Sequence, residues 1–289
     1  MTFAEEWPLM TFTLLSQLAI GLFIVLMLVK TSIGNQDSQA SKAIRGGFTA
    51  VGPLTALALV FSLFHLGDPL GAPRSILNLG SSWLSREIMT AGGFFALWFV
   101  FWWLSRKGKE SNALGWVTVL MGCAAVFSMA SIYSSSIRPA WDNVNTYIAF
   151  FGATLAMGVL GAAGVIAFGL KGQISAGLTK TLKNMSYLGV AAVILPLAYL
   201  PVFISGLNGG GSTAEASAQI LTESMGVLAG RGVLSIAGAI LLVAALNKGA
   251  KGKALSTSTV YLALALVIAG EFIGRYLFYA MGVSPMIGT

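Results

Sequence analysis

Eight long apolar runs, spaced along 289 residues, constrain this protein more than any other feature of its sequence. They lie at about 9–30, 47–66, 87–105, 113–133, 145–169, 183–206, 219–246 and 256–282. Each is near or above the roughly 20 residues that a helix needs to cross the hydrocarbon layer. Inside lipid every backbone polar group must be satisfied internally, which leaves helices or a closed barrel. A barrel would alternate with period two over segments of about ten residues, and these runs do not. Nor can the runs be the core of a water-soluble protein. Only 9% of the residues are charged, where a soluble protein has roughly a quarter. The expectation is an all-α polytopic membrane protein with eight transmembrane helices, one integral membrane domain over 1–289. Ahead of the first run stand Glu5 and Glu6 and no basic residue. A secretory signal begins with positive charge, so the first span is expected to be retained.

Charge placement orients the spans. Lys30, Lys42 and Arg45 follow the first, and Arg106, Lys107 and Lys109 the third. Lys171, Lys180 and Lys183 follow the fifth, and Lys248, Lys251 and Lys253 the seventh. These four connections hold 12 of the 17 basic residues and two acids, Asp37 and Glu110, a net +10. Everything else holds five arginines and eight acids, a net −3. The positive-inside rule then puts the lysine-rich loops in the cytoplasm and both termini on the outer, periplasmic side. The basic balance therefore reports membrane insertion and gives no reason to expect a nucleic-acid partner. The outer connections 66–86, 134–144 and 207–218 are longer and carry Pro, Gly, Trp and Arg, as a docking surface or a simple cap would. The glycine run at 206–212 lacks the Lys-Ser/Thr of a phosphate loop and reads as a turn. Gly158, Gly161 and Gly164 read as a close-packing face, and Cys123, among small neighbours, as a packing residue.

Metal chemistry is narrowed by scarcity. One histidine, His65, and one cysteine, Cys123, exclude a bis-histidine haem, a cysteine-held iron–sulfur cluster and an ordinary zinc site within the chain. No metal site is expected.

Ionisable groups inside lipid are costly and so few that each can be weighed. His65 closes the second span at its outer end. It either bonds a carbonyl at the interface or faces a ligand as a proton acceptor, since a histidine titrates near neutrality. Glu87, at the outer end of the third span, lies at a similar depth; Arg86 beside it points about 100° away. These two are either snorkelling groups or pocket members. Arg231 lies some twelve residues into the seventh run. Glu271 and Arg275 are spaced i, i+4 in the order that favours a pair, and lock helices together or line a pocket. All of these map to the outer half, and no such set occurs in the inner half. Tyr133 and Trp141 flank Arg138 at the outer end of the fourth span as further pocket candidates. The cluster Trp98, Phe99, Phe101, Trp102 and Trp103 reads as an interface belt.

Certain of these residues carry a resemblance. The stretch HLGDPLGAPRSILNLG at 65–80, running into SWLSRE at 82–87, together with SMASIY at 128–133 and RPAW at 138–141, resembles the membrane anchor subunit of dimethyl sulfoxide reductase. Eight spans with both termini outside fit the same family. The resemblance implies a haem-free subunit of the bacterial inner membrane that oxidises quinol, menaquinol in particular, and passes electrons outward in anaerobic respiration. It implies two partners on the periplasmic side, a four-cluster iron–sulfur subunit and a catalytic subunit with a molybdopterin cofactor. The latter carries a twin-arginine export signal; this chain has no Arg-Arg pair. The family's quinol-linked histidine and glutamate match His65 and Glu87 as catalytic positions. Trp83, Arg86, Tyr133, Arg138 and Trp141 are then candidates for quinol binding or partner docking, and Arg231, Glu271 and Arg275 are structural or pocket charges. Related anchors serve tetrathionate, polysulfide, selenate or arsenate reductases. A secondary transporter is the reading from another class, although no inverted repeat or through-path of charge is visible.

Overall fold

The computed structural model describes residues 3–34, 37–65, 78–251 and 254–285, the side chains of residues 3–6 and 65 excepted. Among the described residues there are nine helices and no strand: α1 (Phe3–Ile33), α2 (Ser38–His65), α3 (Trp83–Arg106), α4 (Asn112–Ser134), α5 (Val144–Gly169), α6 (Ala176–Asn208), α7 (Ser212–Glu223), α8 (Met225–Ala250) and α9 (Thr257–Ala280). All but α7 are long and apolar enough to cross a membrane. Ser82, Ser111, Asn143, Ser175 and Ser256 each accept a backbone N–H of the helix that follows. Such caps satisfy donors that the helix itself leaves free.

The seventh run, read as continuous over 219–246, divides at Ser224. The residues before it form α7, whose buried positions Ala214, Ser217, Ala218 and Leu221 recur at helical spacing on one face. Glu215, Gln219 and Glu223, on the other side, are exposed. A one-faced helix of this kind lies along the bundle surface instead of crossing lipid. Arg231 consequently stands fewer than two turns into α8, closer to the helix start than the sequence suggested.

The helices α1 and α5 form the centre. Most of α1 is buried, whereas α6 and α8 are largely uncovered. Lipid tails are as apolar as leucine, so helices there associate through close packing and small residues. A methyl group at Gly21 would strike the Thr154 carbonyl, and one at Gly158 the Gly21 backbone, so α1 and α5 cross in near backbone contact. Gly161 and Gly164 lie on the same packed helix, against Leu18 and Tyr261. Pro196 of α6 has no N–H for the Ala192 carbonyl. Gly152 of α5 backs onto that carbonyl, where a Cβ would come within 2.9 Å.

The aromatic cluster of α3 is not a uniform interface belt. Trp98 and Phe101 are buried, while Phe99 and Trp103 are exposed. The Trp98 indole N–H donates to the Phe48 carbonyl at 2.7 Å, and its ring lies where a side chain at Gly52 would otherwise sit. Consecutive aromatics on a helix must point in different directions, and three of the five, Trp98, Phe101 and Trp102, meet α1 or α2.

At the lysine-rich end, the helix ends are tied together. Glu110 bridges Lys30 at 2.9 Å and Arg45 at 3.1 Å, and Lys30 also donates to Asn112. Partial burial pushes the Glu110 carboxyl up, but the hydrogen bonds and charges of Lys30 and Arg45 outweigh it and hold Glu110 below the usual carboxylate range. The turn after α5 places Gly172 at φ +75°, with its carbonyl accepting the Leu255 amide. A side chain there would strike the Leu255 carbonyl.

Candidate functional site

The opposite end of the bundle gathers most of the residues singled out from the sequence. Arg231 of α8 and Glu271 of α9 face each other at 3.6 Å. This arrangement corrects the i, i+4 expectation: Glu271 makes its ion pair with Arg231 on the neighbouring helix, and Arg275 donates instead to the Gln17 side-chain oxygen of α1 at 2.9 Å. Glycine makes the interhelical pair possible. Gly270 backs onto Ser235 and the Arg231 carbonyl, and any side chain at Gly274 would strike the Arg231 guanidinium. The two glycines, four apart on one face of α9, form a notch that receives the arginine.

Gln17 is fully buried, and Glu271 and Arg275 are 6% and 4% exposed. The Arg275 guanidinium lies 3.8 Å from the Phe150 ring centroid, a cation–π contact strengthened by desolvation. With two guanidinium groups and one carboxylate, the triad carries a net positive charge. Gln17 Nε2, Arg231 Nε, Ser235 Oγ and Arg275 Nη1 are buried without a partner among the described residues. A small cavity of about 40 Å³ opens beside Arg231, Glu271 and Arg275, room for a few water molecules by volume.

From this triad an aromatic group leads towards α3. Tyr279, one turn after Arg275, shares a hydrogen bond of 2.7 Å with Tyr133 of α4. Trp141 donates to the Phe278 carbonyl at 2.7 Å and stacks on the Phe278 ring. Arg138 lies over Trp141 at 4.3 Å. Tyr133 and Trp141 are thus buried and engaged with α9. Glu87, 7% exposed and one turn into α3, lies within electrostatic range of Tyr133. No hydrogen bond or ion pair reaches its carboxyl from the described residues; only its backbone carbonyl is engaged, by Thr90.

Trp83 and Arg86 stand apart from this core. Arg86 donates to the carbonyls of Leu79 and Gly80, both at 2.8 Å, and stacks over Trp83 at 4.2 Å. It thereby holds the turn that leads into α3. Trp83 continues to Phe127, and Phe127 to Tyr147, whose hydroxyl meets Ser131 and Ser134. The His65 side chain and residues 66–77, which include most of the first motif, lie outside the described residues.

Sequence reasoning missed Gln17 and Tyr279. An amide within an otherwise apolar span is a signal for Gln17, since such groups bond across helices in lipid. For Tyr279 the signal is the helical spacing from Arg275. Among the described residues no three metal-ligating side chains come together. Chemically, the site offers one carboxyl without a partner, a hydroxyl pair and a buried cationic group, all suited to oxygen atoms and protons.

Comparison with known proteins agrees with this architecture along its full length. The sequence is 29% identical over 288 residues to the anaerobic dimethyl sulfoxide reductase subunit YnfH of Escherichia coli K12, covering 97% of this protein and 96% of that one. A second anaerobic dimethyl sulfoxide reductase subunit of the same organism is 29% identical over 295 residues, with the same coverage. Its namesake from Haemophilus influenzae is 26% identical over 283 residues, covering 96% and 95%. The sequence profile described as "DMSO reductase anchor subunit (DmsC)" matches residues 1–281, nearly the whole of the eight-span bundle. This protein belongs to the DMSO reductase anchor subunit family.

Proposed function

We propose that this protein anchors a dimethyl sulfoxide reductase-type complex in the bacterial inner membrane and oxidises menaquinol near the outer face. Both termini then face the periplasm. There it holds a four-cluster iron–sulfur subunit and, through it, a molybdopterin catalytic subunit. The relatives named above are all subunits of dimethyl sulfoxide reductases. That acceptor is therefore proposed ahead of tetrathionate, polysulfide, selenate or arsenate.

The observation that carries the reading is the Glu87 carboxyl. It is buried one turn into α3, without a partner among the described residues, and within electrostatic range of Tyr133. Such a group has the chemistry to take a proton from a substrate hydroxyl. A quinol loses two protons and two electrons to become quinone. His65 accepts one proton, and Glu87 takes the other and releases it to water at the outer face. The two electrons pass to the iron–sulfur clusters of the partner. Arg86, Trp83 and Arg138, only partly buried, serve quinol entry or partner docking, and the buried Tyr133 and Trp141 serve quinol binding from within. Arg231, Glu271 and Arg275 keep the floor polar and net positive, which favours a substrate that is losing protons.

The test uses the assembled complex. His65→Ala and Glu87→Gln are each expected to slow quinol oxidation at least tenfold, since proton transfer typically contributes 10²–10⁴-fold. Assembly, and turnover driven by a soluble artificial donor to the catalytic subunit, should be unchanged. Normal quinol-dependent cluster reduction in both variants would sink the assignment.

A further inference from the structure

At the lysine-rich end, α2 and α9 both pack against α5 but make at most marginal contact with each other. Between them runs a groove of about 720 Å³, within the roughly 300–1,000 Å³ of typical ligand sites. Its walls are apolar: Ala43 and Ala50 of α2, Val165 and Phe168 of α5, and Tyr261 of α9. Phe168 is 69% exposed, so the groove opens towards lipid. Its mouth has a different chemistry. Lys42, in the second turn of α2, and Lys171, just after α5, both line it beside Gln39. Neither lysine has an acidic partner among the described residues. The nearest acid in sequence, Asp37, is engaged by the Ala40 amide and by Ser175, which hold its carboxyl below the usual range.

Two cationic amines above an apolar slot, at the level where a membrane helix begins, match one ligand class in charge and in shape. We propose that this groove is a binding site for a two-tailed anionic phospholipid. The phosphate sits between Lys42 and Lys171, and one acyl tail lies along α5 between α2 and α9. Basic pockets between membrane helices commonly take such headgroups. A zwitterionic lipid offers the same tail, but its headgroup carries no net negative charge for the two amines. Seated there, the lipid joins two helices that otherwise scarcely meet.

Gly46 makes the site testable without touching the lysines. It lies on the groove wall, and a Cβ built there meets nothing within 4 Å. Leucine at this position would start from open space and project into the slot. The experiment is native mass spectrometry of the full-length protein in detergent, with phosphatidylglycerol and phosphatidylcholine as probes. The wild type should retain one phosphatidylglycerol under activation that strips phosphatidylcholine. In Lys42→Gln/Lys171→Asn, retention should fall roughly tenfold or more, from the two lost lysine attractions. Gly46→Leu should lose retention with both lysines in place. Equal retention of the two lipids, or retention unchanged in both variants, overturns the proposal. So does an inorganic phosphate adduct as persistent as the lipid, because the apolar walls would then contribute nothing.

Discussion

Glu271 is the one carboxylate facing two buried guanidinium groups among the described residues, so its loss leaves uncompensated charge. Breaking a buried pair of this kind typically costs about 3–5 kcal/mol. Glu271→Gln should therefore lower stability by that order in equilibrium unfolding in mixed micelles. By contrast, Tyr133→Phe removes a neutral hydroxyl pair with Tyr279, and about 1 kcal/mol is expected. Replacing both ions at once, Arg231→Met with Glu271→Leu, should restore much of the stability lost in Glu271→Gln, since paired buried charges seldom stabilise more than apolar packing. If quinol oxidation remains impaired in that double variant, the charges act on the substrate; full activity would make them packing groups only. Arg231, Glu271 and Arg275 were legible in the sequence because charge within an apolar run stands out. Their partners were not. Spacing along α9 suggested Glu271 with Arg275, whereas the nearest opposite charge is presented by α8, and Gln17 lies more than 250 residues away.

The elements owe their positions to small residues and to ties at the loops. At Gly21, leucine would collide with the α5 backbone at its closest approach to α1. Overpacking usually costs about 1–3 kcal/mol, and here the opposing atoms are backbone, so Gly21→Leu should lie at or above the top of that range. Gly46→Leu, facing open space, should not destabilise, and thermal unfolding of the two variants side by side checks the contrast. The loop tie at Glu110 is sensitive to pH. Its carboxyl is held below the ordinary value of 4.5 by Lys30 and Arg45. A depressed folded-state pKa means that the stabilisation is fully present above about pH 4.5 and is lost as pH falls through the lower, folded value. Surface bridges are worth about 0–1 kcal/mol each, so the effect is small. A modest loss of stability on acidification below pH 4.5 should appear in the wild type and be reduced in Glu110→Gln. The break at Ser224 was hidden in the sequence because neither a proline nor a lysine-rich loop marks it. Only the one-sided burial of Ala214, Ser217, Ala218 and Leu221 separates them.

For the whole molecule, the orientation proposed from charge has a direct test. Cys123 is the single cysteine, so Cys123→Ala provides a cysteine-free background. Cysteine placed at Lys109 should react with an impermeant thiol reagent from the cytoplasmic side alone, and cysteine placed at Ile137 or Glu215 from the periplasmic side alone. The reverse pattern would move the proposed quinol site to the other face. The sequence by itself determined the number of spans, the all-helical class and the sorting of charge between the two ends. Span length and charge counts are one-dimensional properties, and lipid acts on them directly. Only the tertiary structure decided which helices are central, that α1 and α5 meet backbone to backbone, and that Arg231 finds Glu271 in a notch made by Gly270 and Gly274. In lipid no general hydrophobic force chooses among helix faces. Shape and a few polar contacts make that choice, and neither is visible until the helices are side by side.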